Sequence, residues 1–265
     1  MKKSLFIGFL FVSMLLIASC APKAQASHME AITQAGKMVV GTSADFAPYE
    51  FIDEAGNIVG FDVDVINEIG KRMGLEVEIT DMPFDSLLAA VAEGKIDLTI
   101  AGLNYTEERD QTVDFTEAYQ ESYLVLVVKE DFAGKVDTLE DLAQYNYGTQ
   151  TGTTGNAWIT SSLVEPGLLP AEKLFTYDRW DQAFLDLKAG RVDICPIDNL
   201  PGEAVVKEMG GLKLIELPDI FEVNPLNIVV PEGDVELQKA LNEVIAEIKA
   251  DGTLAELEQK WLVGE

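Results

Sequence analysis

A short sequence unit occurs twice in this chain, and it constrains the fold more than any other feature. The first copy runs from Leu87 to Gly94-Lys95-Ile96-Asp97-Leu98, and the second from Leu185 to Gly190-Arg191-Val192-Asp193-Ile194. In each copy a helical pattern ends at a glycine, and an aspartate then precedes an apolar run typical of a strand. The repeat predicts two lobes of similar construction.

The rest of the pattern alternates strand-like and helix-like segments. Met38–Thr42, Val77–Thr80 and Leu98–Ala101 are short apolar runs, and an amphipathic helical pattern opens at Asp62. Such alternation predicts an α/β fold with parallel sheets covered on both faces. Ligands of such folds lie at the carboxyl ends of the strands, so a cleft between the lobes is the expected binding site.

The N-terminus has the features of an export signal. Lys2 and Lys3 precede an apolar run, Leu5 to Ile17, which is shorter than the roughly 20 residues that span a bilayer. We therefore expect residues 1–19 to be a signal peptide and the mature protein to be exported, to the periplasm or the cell surface.

The residues after this apolar run indicate how the mature chain is attached to the membrane. Ile17-Ala18-Ser19-Cys20 resembles the bacterial lipobox, in which the cysteine is lipidated and becomes the mature N-terminus. The resemblance implies lipidation at Cys20, with residues 20–29 as a lipid-anchored tether to the membrane. Ala24-Gln25-Ala26 resembles an ordinary cleavage site, which leaves a freely secreted form open.

Composition excludes several classes of function. The formal net charge of −27 excludes nucleic-acid binding, which needs a basic face, whereas 48% hydrophobic residues exclude general disorder. The acidity fits either a soluble surface or the attraction of cationic ligands. If Cys20 is lipidated, Cys195 is alone, so no disulfide is expected. No spacing of metal ligands is evident, and no cofactor is expected.

A zwitterionic amino acid needs two opposite charges in one place, an arginine for its carboxylate and a carboxylate for its ammonium. Several motifs are distributed over about residues 36–262. They are Gly41–Phe51, Gly60–Asp64, Gly102–Arg109, Asp114-Phe115, Tyr119, Gly152–Thr154, Gly190–Asp193, Asp198, and Asp251–Thr253 before Trp261. In their order and spacing they resemble the extracellular amino-acid-binding proteins of ABC importers, bacterial solute-binding protein family 3.

The resemblance implies the two-lobed periplasmic-binding-protein fold of type II, with two crossings between lobes and the ligand in the interlobe cleft. It places residues 30–118 and 227–265 in the first lobe and residues 124–221 in the second. The hinge would consist of residues 119–123 and 222–226.

The resemblance also assigns roles to the charged and polar residues. Arg109 would bind the ligand carboxylate, with Thr154 completing that site from the second lobe; a surface ion pair with Glu107 or Asp110 is the alternative. Asp198 would accept from the ammonium, or else only cap a helix. Gly102 and Asn104 would offer a backbone carbonyl and a side-chain oxygen to the same ammonium.

The side-chain end of the pocket departs from charged versions of the family. Phe46 and Phe84 would form aromatic walls. Ser43 stands where binders of cationic or amide side chains often carry Asp, and Gln150 and Ile197 stand where a glutamine-type binder would carry Lys and His. We therefore expect an uncharged pocket and a polar amino acid with an uncharged side chain.

The resemblance implies a receptor and not an enzyme. Its partners would be an amino acid and the membrane subunits of an ABC transporter, and the protein is expected to act as a monomer. One alternative is a dehydratase-like enzyme of the same fold, which would need a general acid or base, but the sole histidine, His28, falls in the expected tether. A free-standing sensor of the same ligand is another alternative.

Overall fold

The computed structural model describes residues 27–263, so the expected signal peptide and Cys20 lie outside the described residues. The strands are β1 Lys37–Thr42, β2 Asp45–Phe46, β3 Glu50–Ile52, β4 Ile58–Val59, β5 Glu76–Asp81, β6 Leu98–Thr99, β7 Val113–Phe115, β8 Gln120–Lys129, β9 Tyr147–Gln150, β10 Leu174–Tyr177, β11 Ile194–Asp198, β12 Leu212–Glu216, β13 Val223–Leu226 and β14 Val229–Pro231. The helices are α1 His28–Ala35, α2 Phe61–Met73, α3 Leu87–Ala92, α4 Leu139–Leu142, α5 Thr154–Ile159, α6 Trp180–Ala189, α7 Asn199–Met209, α8 Val235–Ala250 and α9 Thr253–Trp261.

The first lobe is built on a five-stranded sheet in the order β5-β1-β6-β14-β7. Apolar residues of α2 and α8, among them Ile66, Ile69 and Ile245, form one core on this sheet. Leu87 and Val91 of α3 belong to a second core that includes sheet residues. Helices therefore cover the sheet on both faces, as the alternating pattern predicts.

The second lobe has its own sheet, in the order β10-β9-β11-β8-β12, with β13 paired to β8. Trp180, Phe184 and Leu187 of α6 pack in one core with residues of β8 and β11. Ile159 and Leu163 belong to another core with β8, β9 and β11. Each lobe thus buries apolar residues of its own.

The repeated sequence unit makes the same hydrogen bonds in both lobes. Asp97 accepts from the backbone N–H of Val39 at 2.6 Å, and Asp193 accepts from the backbone N–H of Asn146 at 2.9 Å. The backbone N–H of each aspartate donates to the carbonyl of that same partner, at 2.8 Å in both cases. The aspartate therefore ties each helix-to-strand connection to the neighbouring strand, which explains why the unit recurs.

The expectation of wholly parallel sheets is wrong, because one strand in each sheet runs against its neighbours. In the first lobe β14 is antiparallel to β6 and β7, and in the second β8 is antiparallel to β11 and β12. Neither strand ends a strand–helix–strand unit, whose helix would force a parallel direction.

Two connecting segments run side by side between the sheets. The first four residues of β8 pair antiparallel with β13, with Tyr123 opposite Val223 and Gln120 opposite Leu226. Leu226 also forms a bridge with Asn104 of the first lobe. The lobe boundaries and the hinge role of these segments stay predictions.

The expected tether of residues 20–29 is wrong at its C-terminal end. Ser27 caps α1 through a capping box, in which its side chain accepts from the N–H of Glu30 and the Glu30 side chain accepts from the N–H of Ser27. The sequence Ser-x-x-Glu is a known start signal for a helix. His28 is also anchored, because its Nε2 lies 2.9 Å from Asp97 and its Nδ1 lies 2.6 Å from Asp234.

Candidate functional site

A cavity lies between the two lobes. The structure brings all eight of the predicted binding residues to its wall: Ser43, Phe46, Phe84, Gly102, Asn104, Arg109, Thr154 and Asp198. The remainder of the lining consists of Asp45, Glu50, Leu124, Gln150, Thr153, Gly155, Trp180, Pro196 and Ile197.

Arg109 lies in a helical turn of the first lobe and reaches toward the second. Its guanidinium donates to the backbone carbonyl of Asn104 at 2.7 Å and to that of Gly152 at 2.9 Å. It also lies over the Phe84 ring, 5.7 Å from the centroid. Burial lowers the pKa of Arg109 to about 10, so the side chain stays cationic at neutral pH. Among residues 27–263 it forms no ion pair with Glu107 or Asp110, the alternative considered from the sequence.

Asp198 ends β11 and occupies the position that precedes α7. Its side chain makes no capping hydrogen bond, and instead accepts from the Ser122 hydroxyl at 3.1 Å. The residue is 6% exposed, and burial raises the pKa of its carboxyl to about 7. A cation brought into the cavity would therefore favour the ionised form of Asp198.

Asn104 and Thr154 bond to each other across the cavity. The Thr154 hydroxyl donates to Asn104 Oδ1 at 3.1 Å, and Asn104 Nδ2 donates to Ser122 Oγ at 3.1 Å. Together with Ser122, these residues form a chain of hydrogen bonds that ends at Asp198. Asn104 Oδ1, which is expected to accept from a ligand ammonium, thus accepts from the Thr154 hydroxyl in this structure.

Gly102 lies directly against the aromatic wall. Its φ is +54°, a conformation that favours glycine, and a Cβ there would come within 2.7 Å of the Phe46 ring. Its backbone N–H donates to Asp62 Oδ2 at 2.8 Å. The glycine is needed because this close approach leaves no room for a side chain.

The sequence predicts an uncharged side-chain end of the pocket, but two acidic residues that it did not mark, Asp45 and Glu50, also line the cavity. Asp45 accepts from the backbone N–H of Trp180 at 2.8 Å, from Gln150 at 3.2 Å and from Ser43 at 3.1 Å. Arg179 Nε lies 3.7 Å from the same carboxylate. Burial raises the pKa of Asp45, and these donors and Arg179 act in the opposite direction.

A sequence signal for Glu50 did exist. Phe46 pairs with Glu50 in the small sheet of β2, β3 and β4. A turn at Ala47-Pro48-Tyr49 between two short strands would have placed Glu50 beside Phe46, an expected wall residue. Trp180 gave no such signal, because it reaches the cavity only through the packing of α6.

Other kinds of site are not evident in the described part of the chain. Within residues 27–263 no group of three or more His, Cys, Asp or Glu side chains could hold a metal ion. No helix of this stretch is long and apolar enough to cross a membrane.

Comparison with known proteins gives concordant matches. Residues 38–264 match the family described as bacterial extracellular solute-binding proteins, family 3. The ABC transporter arginine-binding protein 1 of Escherichia coli (strain K12) is 33% identical over 244 residues, which cover 89% of this chain and 95% of the relative.

Solved structures agree with this match. A mutant of ArgBP from T. maritima superposes with a TM-score of 0.82 at 36% identity, covering 89% of this chain and 99% of that one. An ancestral arginine-binding protein bound to glutamine has a TM-score of 0.78 at 37% identity, covering 85% and 97%. With two lobes, a cavity between them and a match over nearly all described residues, the chain belongs to the bacterial extracellular solute-binding proteins, family 3, and has the type II periplasmic-binding-protein fold.

Proposed function

We propose that this protein captures an amino acid between its lobes and delivers it to the membrane subunits of an ABC transporter. The observation that carries the proposal is the pair Arg109 and Asp198, which come from different lobes and line one cavity. Their opposite charges match the carboxylate and the ammonium of a zwitterion. The relatives support binding over catalysis, since their names describe amino-acid-binding proteins.

The side chain of this amino acid is polar and uncharged. Asp45 is compensated by Arg179 and by the N–H donors of Trp180 and Gln150, so it offers little free negative charge. The indole Nε1 of Trp180 is buried and has no hydrogen-bond partner among residues 27–263, and Trp180 lines the cavity. This donor needs an acceptor, which a carboxamide supplies and the side chains of arginine and lysine lack.

A cationic amino acid is the second candidate. Asp45 and Glu50 place two carboxyl groups in the lining, and both the E. coli and T. maritima relatives carry arginine in their names. The net charge of −27 would also attract a cation over a distance. The two candidates differ in whether the carboxyl groups of the lining carry uncompensated charge.

The location follows from the N-terminal sequence and from the family. We propose that the exported protein is anchored to the membrane by a lipid at Cys20, with cleavage near Ala26 as the alternative that would release it. A single monomer then presents each ligand to the transporter. A free-standing sensor would use the same site but would not require a transporter.

A thermal-shift screen of the twenty amino acids tests the ligand class. A ligand that binds only the native state raises stability by about 2.7 kcal/mol at a hundred times its dissociation constant. We expect glutamine or asparagine to give the largest shift. A larger shift with arginine or lysine would replace the uncharged assignment with the cationic one, and no shift with any amino acid would contradict the proposed function.

A further inference from the structure

Three carboxyl oxygens beneath the cavity have no conventional donor. Both side-chain oxygens of Glu50 and the Oδ1 of Asp62 are buried and receive no hydrogen bond from any N–H or hydroxyl among the described residues. Both residues are 0% exposed. Unpaired buried carboxylate oxygens are costly, so a donor has to be present.

The Asp62 backbone N–H donates to the carbonyl of Tyr49 at 2.9 Å, which places Asp62 beside Glu50, the next residue of the chain. A proton on one of these two carboxyl groups would supply the missing donor to the other. The Oδ2 of Asp62 already accepts from the Gly102 N–H at 2.8 Å and from the Tyr119 hydroxyl at 2.8 Å. Two donors stabilise the ionised form of Asp62, so the proton resides on Glu50.

We propose that Glu50 and Asp62 share one proton, and that Glu50 is thereby a neutral, specificity-determining group at the side-chain end of the cavity. Its hydroxyl donates to Asp62 Oδ1, and its carbonyl oxygen remains as an acceptor. Glu50 lines the cavity, as does Trp180, whose indole N–H has no partner in the described part of the chain. One acceptor and one donor suit a carboxamide, which carries both complementary groups.

The groups that face Glu50 favour this protonation state. Asp62 from α2, Asp45 from β2 and Asp198 from β11 are all acidic and act on Glu50 in the same direction, and Tyr49 and Tyr119 beside the pair are neutral phenols. Burial, followed by the charge of Asp62, raises the pKa of Glu50 well above its ordinary value of 4.5. The ligand preference rests on the proposed amino-acid function, whereas the shared proton does not.

Infrared difference spectroscopy on the unliganded protein tests the proton directly. At about pH 8, above the pKa of Asp198, the wild type should show the carbonyl stretch of a protonated carboxylic acid. Glu50→Gln should remove this band, because the amide keeps the size and the hydrogen bond to Asp62 without the acid. Glu54→Gln, at an exposed turn position, should leave the band unchanged. Absence of the band in the wild type, or its persistence in Glu50→Gln, would overturn the proposal.

The pH dependence of thermal unfolding provides a second measurement. Since the folded-state pKa of Glu50 is raised, the folded state holds a proton that the unfolded state loses above pH 4.5, and the contribution of Glu50 to stability falls as pH rises. The Tm of Glu50→Gln relative to wild type should therefore increase steadily between about pH 5 and 8. A Tm difference independent of pH would mean that Glu50 acts through packing alone.

A ligand comparison then separates the two proposals. With glutamine as the probe, Glu50→Leu, which has no acceptor for the ligand amide, should bind at least about fivefold more weakly than the wild type. If glutamine fails to bind the wild type but the infrared band is present, the proposed ligand is wrong and the shared proton stands. If glutamine binds the wild type and the infrared band is absent, the shared proton is wrong and the proposed ligand stands.

Discussion

Arg109 is the residue on which the proposed ligand site depends most. Its guanidinium donates to backbone carbonyls of both lobes, which hold it in place in this arrangement. Arg109→Ala would leave a ligand carboxylate buried without its partner, at a cost of about 2–5 kcal/mol, which corresponds to near loss of binding. Calorimetric titration should show this loss, with Arg109→Lys only partly restoring affinity because an ammonium lacks the planar fork.

The matched control for Arg109 is Arg191→Ala. Arg191 belongs to the second lobe, pairs with Asp186 at 2.8 Å and is largely exposed. Its removal should leave ligand affinity unchanged. Equal losses in the two variants would mean that the effect of Arg109 comes from overall charge and not from contact.

Asp198 gives the binding site a predicted pH dependence. Because its pKa is raised to about 7, the carboxyl is increasingly protonated below that pH and cannot pair with an ammonium. Ligand affinity should fall by up to about tenfold for each pH unit below 7, and the dependence should flatten in Asp198→Asn. Calorimetry at several pH values checks this; wild-type affinity that does not change from pH 5.5 to 8 would contradict it.

At the residue scale the sequence identified the groups that a family motif marks. Arg109, Asn104 and Asp198 could be predicted to line one cavity because each occupies a fixed position in a motif of the family. Asp45 and Glu50 were missed although they lie inside the Gly41–Phe51 motif, because their environment depends on which face of a short hairpin they occupy. The proton between Glu50 and Asp62 depends on burial, which a sequence does not state.

At the scale of elements, the close contact of Gly102 with Phe46 gives a stability prediction. Gly102→Ala would place a Cβ 2.7 Å from the ring and force alanine into a positive φ. Gly94→Ala shares the positive φ but has nothing within 4 Å of its Cβ. We expect Gly102→Ala to lose about 1–3 kcal/mol more than Gly94→Ala in urea unfolding. Equal losses would show that the ring moves away without cost.

Helix α1 gives a second prediction at this scale. Burial lowers the pKa of His28, but its hydrogen bonds to Asp97 and Asp234 outweigh this effect and raise it above 6.5. The stabilisation that His28 provides is therefore complete below pH 6.5 and is lost as pH rises through the folded-state pKa. Thermal unfolding of wild type and His28→Gln should differ most at low pH and converge at high pH; a constant difference would contradict the ion pairs.

Helix ends and strand connections are predicted well where the sequence signal lies within a few residues of the feature. Gly74 and Gly190 end α2 and α6 as expected, and the repeated aspartate makes the same bonds twice. Strand direction was not predictable for β8 and β14, because it is decided by the route of the chain between lobes. The start of α1 is not evident from the sequence, because the residues around Ser27 also have a composition typical of a tether.

At the scale of the whole molecule, direct bonds between the lobes describe a closed arrangement. Arg179 of the second lobe donates to the Ala44 carbonyl at 2.8 Å and to Asp81 at 3.3 Å, both in the first lobe. Thr154 and Gln150 add bonds to Asn104 and Asp45. A ligand that contacts both lobes would stabilise this arrangement by its differential affinity for it.

Arg179 should therefore favour closure. Arg179→Ala removes contacts between the lobes, so affinity for an uncharged amino acid should fall by about fivefold for roughly 1 kcal/mol. Small-angle scattering should show a larger radius of gyration for the variant and a smaller one for wild type with ligand. Scattering that is unaffected by the substitution or by the ligand would contradict this role.

Calorimetric titration with modified ligands tests the central claim most directly. The amino acid identified by the thermal-shift screen would be compared with one analogue that lacks the α-amino group and another that lacks the α-carboxylate. If Arg109 and Asp198 bind the two ends of a zwitterion from opposite lobes, each analogue should bind weaker by about 2–5 kcal/mol. Binding of either analogue as tight as that of the amino acid would contradict the account.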